Sequence, residues 1–276
     1  MSTTPRRGTR TLATTVGVIV ALVALLLGVT APAYAAPPTS PVQKYVALGD
    51  SYAAGQGAGA PMDSCLRSDA AYPVLLDAEP RTNLLRTAAC SGATIADVAT
   101  TQLSKVNRGT TLVTLTVGAN DLGAGAAYTV CVSNPDPAAC ALAIQAVQDL
   151  LESGLIAENL AGLIGAIAER SPNAQIVVTD YPVPFVDDPT GSEGITDRVN
   201  AATLGLDAQI AAAVGFAAAG GARVELAPAS IAFQSHEVGS DDPWLGGNPG
   251  DALTFLHPTP AGQAAYREAV LFALAN

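Results

Sequence analysis

Five short apolar segments, separated by segments of helical composition, constrain the fold of this 276-residue chain more than any other feature. Residues 44–49 and 111–117 are almost continuously apolar or β-branched, which is typical of parallel strands covered on both faces. Three further strands are predicted at residues 83–89, 175–179 and 223–226. Because strands alternate with helices, we predict an α/β protein with a parallel sheet sandwiched by helices.

The predicted helices differ in how clearly their ends are marked. They cover residues 70–76, 94–106, 138–170, 196–218 and 260–274. Gly154 is expected to break or bend the third of these, and Thr259 with Pro260 is a typical helix start. Residues 122–137 and 227–256 are predicted to be irregular.

Residues 1–35 have the three-part layout of a secretory signal peptide. A basic start precedes an apolar run at residues 16–29, and small residues near Ala35 form a cleavage site. We therefore expect cleavage near Ala35, secretion, and one mature domain over residues 36–276. The alternative is an uncleaved anchor, although the run is shorter than the roughly 20 residues that a spanning helix needs.

The mature chain would be strongly acidic. Removal of residues 1–35 leaves 10 Lys and Arg against 24 Asp and Glu, a net charge of −14. Such a chain is a poor candidate for binding nucleic acid or anionic membranes. No second segment is predicted to be long and apolar enough to span a bilayer, so we expect no stable anchor after cleavage. We also expect a monomer.

Four cysteines remain in the mature chain, an even number that favours two disulfides in an exported protein. Three pairings are possible, and proximity in sequence favours Cys65–Cys90 with Cys131–Cys140. A zinc site would need the Cys-x-x-Cys spacing and nearby histidines that this sequence lacks. We therefore predict no metal site.

Three polar or small residues follow predicted strands directly: Ser51, Gly92 and Asn120. In a parallel sheet these positions share the rim at the carboxyl ends of the strands, where ligands bind. His257, after the long segment 227–256, opens the last helix and could reach the same rim. Taken singly, each could be only a turn or cap residue.

Together these residues supply the parts of an acyl-transfer site. A serine hydroxyl is a weak nucleophile until a base takes its proton. The oxyanion that forms needs preorganised donors, such as a main-chain N–H or a side-chain amide. Asp50 and Asp121 are expected to stabilise turns, and His236 is expected to be structural or at the pocket rim.

The ordered set Gly49-Asp50-Ser51, Gly92, Gly118-Ala119-Asn120-Asp121 and His257-Pro258-Thr259 resembles the SGNH hydrolases, also called the GDSL lipase/esterase family. The resemblance covers residues 45–274, and it is similar to the secreted, disulfide-containing bacterial branch. It implies a three-layer α/β/α sandwich of flavodoxin type with a five-stranded parallel sheet. It also implies a Ser51 nucleophile, a His257 base, no cofactor, and an oxyanion hole from the N–H groups of Ser51 and Gly92 with the Asn120 side chain.

The sequence departs from the commoner family pattern three residues before the histidine, where many relatives have an aspartate and this chain has Thr254. Asp251 lies six residues before His257. We therefore predict a Ser51–His257 dyad whose imidazole is oriented by a main-chain carbonyl near Thr254, with Asp251 as the alternative.

The expected activity is hydrolysis of carboxylic esters by a secreted lipase or esterase. Small residues in segments 53–60 and 122–127, with Trp244, Leu245, Phe255 and Leu256, suggest an apolar acyl pocket for lipid or short-chain acyl esters. The alternatives are a carbohydrate O-acetyl esterase and an inactive binding protein of the same fold.

Overall fold

The structure is a computed structural model that describes Met1 and residues 41–133, 136–187 and 194–276. The predicted signal peptide and its cleavage site lie outside the described residues, except for Met1. The unit described below begins at Pro41 and ends at Asn276.

A five-stranded sheet forms the centre of this unit. Its strands are β1 (Gln43–Gly49), β2 (Thr82–Thr87), β3 (Leu112–Thr116), β4 (Gln175–Thr179) and β5 (Val224–Ala227). They pair in the order β2-β1-β3-β4-β5, and every pair is parallel. This is the flavodoxin order, so the predicted fold class is confirmed, with strand ends shifted by at most two residues.

The helices follow the predicted alternation. They are α1 (Ser51–Ala54), α2 (Tyr72–Asp77), α3 (Ile95–Asp97), α4 (Ala119–Leu122), α5 (Ala124–Ser133), α6 (Pro137–Ser153), α7 (Leu155–Arg170), α8 (Ile195–Ala219), α9 (Ala229–Ala232) and α10 (Pro260–Ala275). A π turn and a 3-10 turn continue α3 to Lys105. Gly154 separates α6 from α7, as predicted, and the Thr259 side chain accepts a hydrogen bond from the Gly262 N–H at the start of α10.

Alternate residues of the strands enter two separate cores, which makes the fold a three-layer sandwich. Val46 and Leu48 of β1 face α7 and α8, where Ile164 and Ile210 are among the buried side chains. Tyr45 and Ala47 face the opposite side, toward Tyr72, Tyr266 and Val270 of α2 and α10. The period of two along β1 therefore puts one helical layer on each face of the sheet.

One predicted irregular segment is helical. The expectation for residues 122–137 is wrong, because α4 and α5 occupy most of the part that the structure describes. The alanine-rich composition of α5 favours a helix. The disulfide Cys131–Cys140 then joins α5 to α6, and Cys65–Cys90 is the second disulfide. Both are the pairs that proximity in sequence favoured.

The expectation about membrane-length segments also needs correction. By length and composition α8 could span a bilayer, and so could the bent pair α6–α7 if it were one span. In the structure, however, α8 buries Ala202, Leu206, Ile210 and Ala213 in the core beside the sheet. A core helix of an α/β protein can pass the same test, and the packing of α8 explains its apolar composition.

Candidate active site

The site lies beyond the carboxyl ends of β1 and β3, where the strand order of the sheet reverses. Gly49 ends β1 with φ +137°, and an added Cβ there would lie 2.2 Å from the Thr116 carbonyl oxygen. The Asp50 N–H donates to the same oxygen at 2.9 Å. This close approach fixes Ser51, which is 7% exposed, as the first residue of α1.

The Asp50 side chain supports the turn that carries Ser51. One carboxylate oxygen accepts the Tyr52 N–H at 3.0 Å, and the other accepts the Tyr181 hydroxyl at 2.5 Å. Burial raises the pKa of Asp50 to about 7. Asp121 accepts the Ile95 N–H at 3.0 Å in a similar way, so both aspartates make the turn-stabilising bonds predicted for them.

The Gly92 loop is held beside the end of β1. The Cys90 N–H donates to the Gly49 carbonyl at 3.0 Å, and the Asn120 side-chain amide donates to the Ala93 carbonyl at 2.9 Å. Cys90 is also tied to Cys65 by the disulfide. The residues that flank Gly92 are therefore fixed to both strands that carry the site.

His257 ends a tight turn in the segment before α10. Its N–H donates to the Thr254 carbonyl at 2.9 Å, and its carbonyl accepts the Gly246 N–H at 3.0 Å. Burial lowers the pKa of the His257 imidazole to about 4, and a hydrogen bond with the Phe255 main chain acts in the opposite direction. The Thr254 carbonyl thus holds the backbone of His257. That a main-chain carbonyl near Thr254 also orients the ring stays a prediction.

Asp251 does not contact the imidazole in the described structure. Its side chain accepts the Thr254 hydroxyl at 2.8 Å and the Leu253 N–H at 3.1 Å. Thr254 and Leu253 hold the pKa of this exposed carboxyl below its usual value. Asp251 therefore stabilises the turn before His257.

Gln56 connects three parts of the site, and sequence reasoning missed it. Its Nε2 lies 3.0 Å from the Leu253 carbonyl, 3.2 Å from the Ala252 carbonyl and 3.3 Å from Nδ1 of His257. Its Oε1 accepts the Ser91 hydroxyl at 2.5 Å. The sequence around it, Gly55-Gln56-Gly57, does not indicate this role. All partners of Gln56 except Ser91 are about 200 residues away in sequence.

Ser51, Asn120 and His257 line one pocket of about 170 Å³. Most of its other lining is apolar and comes from the ends of β1, β3 and β4 and from α8 and Leu256, including Leu122, Ala124, Pro182, Val199 and Leu206. Gly92 is not among the lining residues, although its loop is fixed next to them. The contribution of α8 was not predicted, because a long helix gives no sequence sign of which end faces the site.

The four large apolar residues expected in an acyl pocket are mostly elsewhere. Leu256 lines the pocket, whereas Leu245 is buried in the core around α10. Trp244 stacks on His236 with ring centroids 3.5 Å apart, and Phe255 contacts Tyr128. His236 Nδ1 also donates a hydrogen bond to the Asp242 main-chain carbonyl at 2.7 Å, a structural contact away from the pocket lining.

Titratable side chains elsewhere do not suggest a metal centre within the part of the chain that the structure describes. No three His, Cys, Asp or Glu residues come together there in a way that could hold an ion.

Comparison with known proteins points to one family. The model of the GDSL-like lipase/acylhydrolase family matches residues 47–265. Lipase 1 of Streptomyces coelicolor is 36% identical over 248 residues, which cover 85% of this chain and 87% of that protein.

Two crystal structures are similar over most of this chain. The extracellular lipase from Streptomyces rimosus has a TM-score of 0.73 at 32% identity, with 84% of this chain and 99% of that chain covered. Phospholipase A1 from Streptomyces albidoflavus has a TM-score of 0.74 at 32% identity, with the same coverage.

Proposed function

Since the chain belongs to the GDSL-like lipase/acylhydrolase family and is a carboxylic ester hydrolase of that class, we propose that it cleaves lipid or short-chain acyl esters through an acyl-enzyme on Ser51. The observation that carries the residue assignment is that Ser51, Asn120 and His257 line one pocket at the β1–β3 end of the sheet. The similarity to lipases favours this reading over a carbohydrate esterase or an inactive binding protein.

His257 is proposed as the base. Its low pKa, about 4, keeps the imidazole neutral at ordinary pH, which a base requires. Nε2 would take the Ser51 hydroxyl proton as Oγ attacks the ester carbonyl, and would then give it to the leaving alcohol. Water repeats the sequence on the acyl-enzyme and releases the acid.

The ring must then carry its other proton on Nδ1. The two hydrogens of the Gln56 amide match the Leu253 and Ala252 carbonyl oxygens, so Gln56 need not donate to Nδ1. We assign Nδ1–H to the main-chain hydrogen bond with Phe255. A carbonyl holds this tautomer but stabilises imidazolium less than a carboxylate does.

The oxyanion would be bound by the N–H groups of Ser51 and Gly92 and by the Asn120 amide. Ser51 is the first residue of α1, and the N–H groups of a first helical turn have no partner within the helix. Asn120 has one amide hydrogen beyond the one that it gives to Ala93. Loss of one such donor typically lowers kcat about 100- to 1,000-fold.

The remaining proposals concern the localisation and the oligomeric state of the enzyme. The layout of residues 1–35 supports export and cleavage near Ala35, and an extracellular relative has the same fold. A mature chain with α8 packed in its core would have no further anchor. We propose a secreted monomer, which mass spectrometry of the exported N-terminus and size-exclusion chromatography would test.

Covalent labelling tests the assignment of the nucleophile. A fluorophosphonate probe should label the wild type and the control Ser230→Ala, and should not label Ser51→Ala. Ser230 bonds to Asp180 and does not line the pocket. Labelling of Ser51→Ala at the wild-type rate would overturn the assignment, and p-nitrophenyl ester hydrolysis confined to acetate would favour the O-acetyl esterase.

A further inference from the structure

A second cavity lies next to the active-site pocket, between α5, α6 and α8. It has a volume of about 150 Å³. Ala127 and Tyr128 of α5, Val147 and Leu151 of α6, and Ala202 of α8 form its apolar walls. The disulfide Cys131–Cys140 joins the two helices that make two of these walls.

The cavity adjoins the active-site pocket. Ala124 at the start of α5 and Val199 on α8 line both spaces. Both side chains at this junction are apolar, and one is no larger than a methyl group. A flexible hydrocarbon chain could therefore pass from the pocket into the cavity without burying a polar group against them.

We propose that this cavity binds the distal part of the acyl chain of the ester substrate, so that the enzyme acts preferentially on medium- and long-chain acyl esters. The proposal rests on the function proposed above, and it names the substrate class of that site. The proposed acyl site differs from the one expected from the sequence. Trp244, Leu245 and Phe255 line neither the active-site pocket nor this cavity.

The position of His257 indicates that the occupant is the acyl group and not the alcohol. His257 must reach the leaving alcohol to protonate it, so the alcohol has to lie on the His257 side of the pocket. The cavity shares Ala124 and Val199 with the pocket but shares neither His257 nor Leu256. The group that extends past Ala124 is therefore the part that remains on Ser51.

The lining also disfavours a sugar or a polar head group as occupant. Gln148 and Arg198 are the polar members of a lining that is otherwise apolar or aromatic. Burial of one methylene contributes up to about fourfold in binding, so the benefit should grow with each carbon that enters the cavity. An acetyl group would end before the junction and gain nothing from it.

Filling the cavity provides the test. Ala127→Phe places a ring in the cavity from α5, and Ala126→Phe is its control on the neighbouring, exposed position of the same helix. With p-nitrophenyl acetate, butyrate, octanoate and laurate, Ala127→Phe should lower kcat/KM at least about tenfold for laurate. It should change acetate hydrolysis less than about threefold, and Ala126→Phe should leave the whole series unchanged.

A second variant covers the case in which Ala127→Phe does not fold. Ala202→Leu narrows the cavity from the opposite wall and should show the same selective loss with a smaller amplitude. An equal loss on acetate and laurate, or no loss on either by folded Ala127→Phe and Ala202→Leu, would overturn the proposal. If the wild type cleaved no ester in a Ser51-dependent way, the proposed function itself would fail, which is a different result.

Discussion

Ser51 is held by the main chain of the central sheet, whereas His257 is held by a local turn, by isolated main-chain bridges and by side chains from distant parts of the sequence. β1 is hydrogen-bonded on both sides, and the Gln102 side chain brackets its last residue, Gly49, with two bonds of 2.8 Å. Ser51 follows two residues later. Its position is therefore set by a strand ladder that the whole fold shares.

The histidine side has no strand of the main sheet. Gln56 binds the carbonyl oxygens of Ala252 and Leu253, the Tyr52 hydroxyl donates to the Leu256 carbonyl at 2.5 Å, and isolated bridges join residues 245–246 to 255–258. Mutation should therefore affect the two sides differently: stability first on the Ser51 side, and activity first on the His257 side.

The strongest contrast should come from Gly49→Ala. Its Cβ would lie 2.2 Å from the Thr116 carbonyl at a φ of +137°, inside the sheet. Left-handed strain of about 1–3 kcal/mol adds to a main-chain clash that cannot relax cheaply. We expect a loss of more than about 4 kcal/mol and little folded enzyme, measured by urea unfolding. The control is Gly165→Ala in α7, where an added Cβ meets nothing within 4 Å. If Gly49→Ala were as stable as the wild type, the geometry described for the end of β1 would be wrong.

Gly246→Ala makes the matched change on the histidine side. Its Cβ would lie 2.1 Å from the Thr254 carbonyl, so the turn that carries His257 must move. A misplacement of about 1 Å can cost about 100-fold in rate. We expect kcat to fall by roughly that factor while the melting temperature falls much less than in Gly49→Ala. If both variants lost stability equally, the two sides would not differ in the way described.

The same difference explains what the sequence could and could not predict. β1 and β3 are encoded by local apolar patterns that end in recognisable turns. These patterns predicted the site at the carboxyl ends of the strands, with Ser51 and Asn120, and the order of the motifs predicted His257. Gln56 and Phe255 act through contacts across about 200 residues or through a turn geometry, and no local pattern encodes such contacts. The helix α5 was missed because the glycines and polar residues around it obscured its alanine-rich core.

Gln56→Leu should test the side-chain tethers directly. It removes the bonds to Ala252 and Leu253 and the acceptor for Ser91, so we expect kcat to fall about tenfold. Gln56→Glu keeps the size but puts a carboxylate beside Nδ1, and a nearby negative charge raises a histidine pKa. The acid limb of its pH profile should therefore move to higher pH, a change that a merely structural role would not produce.

Ser91→Ala is the milder control for Gln56. It removes only the hydroxyl bond to Oε1, and a single hydrogen bond contributes about 0.5–1.5 kcal/mol. A pH profile of Gln56→Glu identical to that of the wild type would show that residue 56 does not act through the imidazole.

The pH dependence should show the burial of His257. Because its pKa is lowered to about 4, kcat/KM should hold nearly constant down to about pH 5, where a histidine with the ordinary value of about 6.5 would have lost most of its activity. In the unfolded chain the imidazole binds a proton near pH 6.5, so the free energy of unfolding should fall as pH drops from 6.5 toward 4. An acid limb of kcat/KM centred near pH 6.5 would mean that the ring is solvated in the working enzyme. In His257→Gln, the fall in the free energy of unfolding between pH 6.5 and 4 should be smaller than in the wild type, which would support the burial of the ring.

Asp207→Asn should have the smallest effect on activity, and it probes the buried carboxylates behind Ser51. One Asp207 oxygen accepts the Tyr181 N–H at 3.0 Å, and the other is buried without a partner among the described residues. Burial, with the nearby charge of Asp180, raises the pKa of Asp207 to about 8. A carboxyl whose pKa is raised on folding stabilises the folded state at low pH, and this contribution is lost as pH rises from about 4 to 8. Asparagine imitates the protonated form, so in urea unfolding the variant should match the wild type near pH 4. Its advantage should then grow as pH rises toward 8, by up to about 1.4 kcal/mol per pH unit. A difference that did not depend on pH would place the titration elsewhere and leave Asp207 as a packing residue beside Tyr181.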